Sequence, residues 1–249
     1  MIVLASDTSS SQGSVALRDQ GGEVLREDLG SGRPHSETLL PAVERVLARA
    51  GLSRMDVQAI AVGTGPGAFT GLRVGLATFK AWAAASGLPL IPVVSMDALA
   101  WPLLKEGIPV VALTDARKGE VYAAYYPFLD GKGLPQRQGE VMMIPHDRVL
   151  KWVSSLDDPE VRPVGTGLPL LAEKGQLGDM LDDIKIIDVG SGVPDAVWIL
   201  VLAEILLSLG LTVEPSGLLP YYVRPPDAKK PSSGTIITSV SDTGGHADS

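Results

Sequence analysis

Cysteine is absent from the 249-residue chain, which excludes disulfides, thiolate metal sites and a cysteine nucleophile, and gives no sign of an oxidising compartment. Histidine is scarce, at His35, His146 and His246 only, so a metal site needing typically about four ligands is hard to assemble, and no metal site is expected. Positive charge is also short: 21 Lys and Arg stand against 29 Asp and Glu, a net charge of -8. RNA is held mainly by cations that neutralise phosphates, so this chain is expected to reach RNA only through a more basic partner. The longest apolar stretch, residues 196–211, is interrupted by Glu204 and falls short of the roughly 20 apolar residues that cross a bilayer; it reads as a buried helix. The opening MIVLASDTSSSQG has no basic region ahead of its apolar run, so neither a signal peptide nor a membrane role is expected, and a cytoplasmic location is.

What is present describes a folded α/β protein: 45% hydrophobic residues, with 28 Gly and 19 Pro to make turns. The length suits either one large domain or two lobes, and two are expected. Residues 2–7 form a short apolar run, then GSVALRD and EVLREDL alternate at strand period, predicting a three-strand antiparallel start. Helical spacing of Leu39, Leu40, Val43, Val46, Leu47 and Ala50 predicts a helix over 36–50, capped by Ser36, stopped by Gly51, with Pro41 near its first turn. A buried strand at 59–63, a helix at 70–86 closed by Gly87, and a strand at 90–94 follow. From residue 109 the opening pattern returns, VVALTD and GEVYAAYY matching VLASD and GSVALRD, which points to a duplicated βββα unit. Further on, a hairpin region to Ile144, a helix at 146–155, strands at 161–165 and 184–189 and a helix at 194–209 are expected. The Pro-, Ser- and Gly-rich residues 224–249 read as a mobile tail.

The segment GTGPGAFTGLRVG, residues 63–75, joins a strand to a helix, a setting in which free N–H groups favour anions. Its spacing matches neither the P-loop nor G-x-G-x-x-G. Gly71 and Gly75, with Ala81, Ala84 and Ala85, give the helix a small-residue face that permits close approach of another backbone, either the chain's own sheet or a partner. Asp7 and Asp115 end buried strands and are open to two readings, a water-mediated Mg²⁺ site or an Asx-turn; Arg117 and Lys118 favour a local ion pair for Asp115. His35 has Leu39 at the i+4 position, so it fits a capping or interface role better than a metal pair, with Glu37 a first-turn acid. No nucleophile-base set is legible, and no catalytic residues are expected.

GTGPGAFTGLRVG, DTSS, HSETLLP, DARKGEVY and YYVRPPDA together resemble the TsaB (YeaZ) family, the B subunits of the bacterial machinery that makes threonylcarbamoyladenosine in tRNA. Ala68 stands where that family usually has Ser. The resemblance implies two duplicated lobes of the actin-like, sugar-kinase-like ATPase type, mixed sheets flanked by helices. The first lobe would span 1–105, completed by the 194–210 helix, and the second 106–223. It further implies a non-catalytic scaffold or activator that pairs with a catalytic TsaD-like subunit, which transfers threonylcarbamoyl to the adenosine beside the anticodon. A TsaE-like ATPase, a homodimer in isolation, and contact with tRNA only through the complex are implied as well. The interface implied on the two first-lobe helices comprises His35, Glu37, Leu40, Val43, Leu47, Phe69, Thr70, Gly71, Arg73, Val74, Gly75, Thr78 and Trp82. No cofactor of its own is expected; ATP or ADP with Mg²⁺ would sit at the junction with the catalytic subunit, near Asp7, Gly65 and Gly67. The competing reading is a stand-alone ATPase or glycoprotease-like peptidase of the same fold.

Overall fold

The computed structural model describes residues 1–156, 161–173 and 192–223. The strand expected at 184–189 and the tail at 224–249 lie outside the described residues.

The first half runs β1 (Val3–Asp7), β2 (Ser14–Arg18), β3 (Val24–Asp28), α1 (His35–Arg49), β4 (Ala59–Gly63), α2 (Phe69–Ser86), β5 (Leu90–Val93) and α3 (Ser95–Lys105). Its sheet has the order β3-β2-β1-β4-β5, the first three strands antiparallel and β4 and β5 parallel to β1. The second half runs β6 (Val110–Arg117), β7 (Glu120–Tyr126), β8 (Phe128–Leu129), β9 (Pro135–Gln136), β10 (Met142–Pro145), α4 (Val149–Val153), β11 (Arg162–Val164), α5 (Gly167–Glu173) and α6 (Ala196–Ser208). There the order β10-β7-β6-β11 repeats the scheme: two antiparallel neighbours on one side of the leading strand, a parallel one on the other. The βββα repeat read from the two Asp-ended strands is thus a repeat of topology, and the chain has two mixed-sheet α/β lobes of like strand order.

Side-chain alternation builds the layers. Leu4, Val15, Leu17, Ile60 and Val62 point to α1 and α2, while Val3, Ala5, Ala16, Ala59 and Ala61 point to α6. Alanines on that second face let the largely apolar α6 lie close to the sheet. Its single acid, Glu204, is neutralised by a bidentate Arg18 at 2.8 and 3.0 Å. In the second lobe Val110, Ala112 and Tyr126 face α3, and Val111, Leu113 and Tyr125 face α4 and α5. Helices α3 and α6 therefore share the middle layer between the sheets.

Several local readings change. Pro34, not Ser36, is the N-cap of α1, since its extended backbone leads into His35 as the first helical residue. Pro41 falls in the second turn, on an exposed stretch where water can serve the carbonyl it leaves unbonded. Asp195 caps α6 by accepting from Val197 N at 2.9 Å, leaving Pro194 outside the helix. The sequence reading omitted α3, which carries Pro102 in its interior, and the helix expected at 146–155 is a 3₁₀ turn, His146–Arg148, followed by α4. Among the described residues no helix is long and apolar enough to cross a membrane.

Candidate functional site

Residues 63–71 wrap around the corner that follows β1. The Ser9 carbonyl accepts the Ala68 N–H at 2.6 Å, and Ser95 N donates to the Gly65 carbonyl at 2.9 Å. Side chains are missing here because backbone fills their space: a Cβ on Gly67 would collide with the Ser9 carbonyl, and one on Gly71 with the Thr8 carbonyl. A Cβ on Gly75 would meet the Thr8 hydroxyl, and Gly65 adopts φ +94° before a cis Pro66. Gly71 and Gly75 are buried against the chain's own β1 corner. The expectation that they present themselves to a partner is corrected. Val43 and Leu47 are corrected in the same way, being 0% and 1% exposed in the core beneath α1.

His35 sits 3.0 Å from where a Gly71 Cβ would lie, and its Nε2 donates to the Ser10 carbonyl at 2.8 Å. It ties α1 to the β1–β2 turn. Leu39, one helical turn on, is 1% exposed and points into the core, away from any ligand set His35 could join.

Asp7 is fully buried. One of its oxygens accepts from Ser9 N (2.8 Å) and Ser9 Oγ (2.6 Å), the other from Ser95 Oγ (2.6 Å). Burial pushes its carboxyl above the usual range, and those hydrogen bonds pull it back. The Asx-turn reading is therefore the one with partners, and a carboxylate so engaged does not fit a Mg²⁺ ligand. Asp115, its counterpart, accepts from Arg117 N at 2.7 Å and pairs with Arg117 Nη1 at 3.2 Å, the local ion pair expected. Ser95, at the start of the overlooked α3, is the partner of Asp7 that sequence reasoning missed.

Between the lobes lies a cleft of about 550 Å³, lined by residues 9–11 and 66–70 on one side and by residues 114–118, Tyr122 and Thr166 on the other, with Tyr221 and Tyr222 at its edge. Gly67 lines it, while Asp7 and Gly65 lie beneath the surface.

The outer side of α2 is different. Thr70, Arg73, Ala77, Ala81, Ala84 and Ala85 are exposed along it, and Val74, Thr78 and Trp82 are half-buried beside them. At its start Phe69 is 45% exposed, with the Arg73 guanidinium 3.7 Å above its ring and Tyr222 5.9 Å away. Leu40 on α1 is 42% exposed, and Glu37 is exposed nearby on the same helix. An apolar strip of short side chains flanked by an aromatic and a cation suits burial against another protein surface.

The family model for TsaD, tRNA N6-adenosine threonylcarbamoyltransferase, matches residues 29–141. The tRNA threonylcarbamoyladenosine biosynthesis protein TsaB of Haemophilus influenzae is 40% identical over 124 residues, which is 49% of this chain and 52% of that protein. TsaB of Escherichia coli is 31% identical over 227 residues, 90% of this chain and 95% of its relative. A crystal structure of a Pseudomonas aeruginosa protein with similarity to the peptidase YeaZ superposes with a TM-score of 0.72 at 32% identity, covering 90% of this chain and 99% of its own. With 31% identity over nearly the full length of one relative and near full-length superposition on another, the chain belongs to the TsaB (YeaZ) family of tRNA threonylcarbamoyladenosine biosynthesis proteins.

Proposed function

We propose that this chain is a non-catalytic scaffold subunit that docks a TsaD-like catalytic subunit on the outer face of α2. The observation that carries the reading is the exposed strip from Phe69 through Ala77 and Ala81 to Ala85, with Leu40 also exposed on α1. The TsaD family model covers α1 and α2 as well, so the partner's first lobe would present a similar helix pair. Two such faces can meet about a pseudo-twofold axis, and two copies of this chain can meet in the same way when no partner is present. Of the interface expected from sequence, His35, Glu37, Leu40, Phe69, Thr70, Arg73, Val74, Thr78 and Trp82 remain.

Threonylcarbamoyl transfer to the adenosine beside the anticodon belongs, in this reading, to the TsaD-like subunit. ATP or ADP with Mg²⁺ belongs at its junction with this chain, served by a TsaE-like ATPase, and tRNA is engaged through the complex rather than by this acidic chain. Leu39, turned into the core, supports that division of labour. Expression of the chain with TsaD and TsaE from its own genome, in cells depleted of their own TsaB, tests it. Threonylcarbamoyladenosine in tRNA should recover, measured by mass spectrometry, and only when TsaD is supplied. Recovery without TsaD, or ATP turnover by the isolated chain, would instead support the stand-alone enzyme.

A further inference from the structure

The C-terminal segment touches both lobes through one residue. Tyr221 N donates to the Thr64 carbonyl in the glycine corner at 2.8 Å. Its hydroxyl donates to Glu140 Oε2 at 2.7 Å and accepts from Arg137 Nη2 at 3.3 Å, with the Arg137 guanidinium 5.4 Å over the ring. Adjacent Tyr222 packs on Phe69 at the start of α2. Arg137 is drawn the other way by Asp97 of α3, Nη1 to Oδ1 at 3.6 Å, and that same oxygen accepts the hydroxyl of the fully buried Tyr126 at 2.7 Å. Contacts thus run from α3 and β7 through Arg137 to the glycine corner.

Arg137 bridges two carboxylates at once, Asp97 through Nη1 and Glu140 through Nη2. Asp97 is 25% exposed and lies inward; Glu140, at 3.5 Å, is 84% exposed and lies outward. We propose that Asp97 is a proton-operated latch: ionised, it holds Arg137 inward and pins residues 221–223 across the lobes; protonated, it releases Arg137 toward Glu140 and loosens that segment.

Burial pushes the Asp97 carboxyl up to about 6, against the Tyr126 hydrogen bond and the Arg137 charge, which both lower it. Other charged groups on the elements packed against α3 are engaged or remote. Glu204 of α6 pairs with Arg18, and Asp115 of β6 with Arg117. Glu120 stands at the far end of β7 from Tyr126, and β8 and β9 carry no charge. Arg162 of β11 is two strands from Tyr126, about 10 Å away. On α3 itself Lys105 lies over the Trp101 ring.

The folded-state value lies above the 3.8 of an exposed Asp, so the folded chain binds the proton more tightly. The global stability Asp97 contributes is therefore fully present at low pH and is lost as pH rises through about 6. Local and global effects have opposite signs: as pH falls, the fold as a whole gains from Asp97 while residues 221–223 loosen. General acid unfolding would move both the same way.

Hydrogen–deuterium exchange on the full chain, expressed as protection factors across the pH range, tests the latch. Protection at the Tyr221 amide should fall about tenfold on acidification, the loss of roughly one charge-assisted bond, with a midpoint near 6. Asp97→Asn should show the low protection at every pH. Tyr126→Phe, which removes a bond that holds the carboxyl down, should move the midpoint upward. Protection independent of pH in the wild type, a response that survives Asp97→Asn, or, if that variant does not fold, an unmoved midpoint in Tyr126→Phe would each overturn the proposal.

Discussion

Toward the sheet, α2 presents Gly71 and Gly75, pressed by the Thr8 carbonyl and hydroxyl; toward solvent it presents Ala77, Ala81, Ala84 and Ala85. Both sides are made of small residues, yet only the inner one has no room for a methyl group. Glycine marks the tightest internal approach along this helix, where a Cβ would meet backbone at Gly71 and a buried hydroxyl at Gly75. Alanine marks a surface left flat and open at little cost in helix propensity. A small-residue pattern therefore does not say which side awaits a partner; what lies opposite each position does.

The contrast can be broken most severely from within. Gly71→Ala drives a Cβ into the immovable Thr8 carbonyl and should cost about 3 kcal/mol, read as a fall in melting temperature of roughly 10 °C. Gly75→Ala meets a side-chain hydroxyl instead, one that has no hydrogen-bond partner, and should cost about 2 kcal/mol by denaturant titration. That difference can be sharpened with a second change. Thr8→Ala removes the obstructing atom, so the double variant Thr8→Ala with Gly75→Ala should recover half or more of the Gly75→Ala loss, whereas Thr8→Ala should not rescue Gly71→Ala. Equal rescue of both would mean the inner face is not held as described. On the outer face, Ala77→Arg and Ala81→Arg should each move stability by less than about 0.5 kcal/mol.

Periodicity explains how much of this was legible. Strands β1, β2 and β4 and helix α2 came out nearly in place because each side has its own apolar period, and the duplicated topology followed from two short strand-Asp-turn matches. Spacing identifies a helical face but not what lies opposite it, so the spacing leaves open which side Gly71 and Gly75 serve; they and Val43 and Leu47, which the family resemblance places at the partner interface, serve the core. Helix α3 was hidden by Pro102, and with it Ser95, which holds Asp7, and Asp97, which holds Arg137. Those contacts join residues 88 and 40 positions apart in sequence, a distance over which local pattern carries no information. Phe69 and Arg73 were recognisable as interface candidates; their mutual stacking, and the placement of Tyr222 beside them, needed the fold.

The central claim is that the outer face of α2 is the docking surface. Titration of the TsaD subunit from the same genome against wild type, the Ala77→Arg with Ala81→Arg double variant, and a second-lobe control, Lys151→Glu, tests it directly. The double variant should bind at least about a hundredfold more weakly, in keeping with the loss of a central contact patch, with an unchanged melting temperature and a control that binds like wild type. Undiminished affinity in the folded double variant would contradict it.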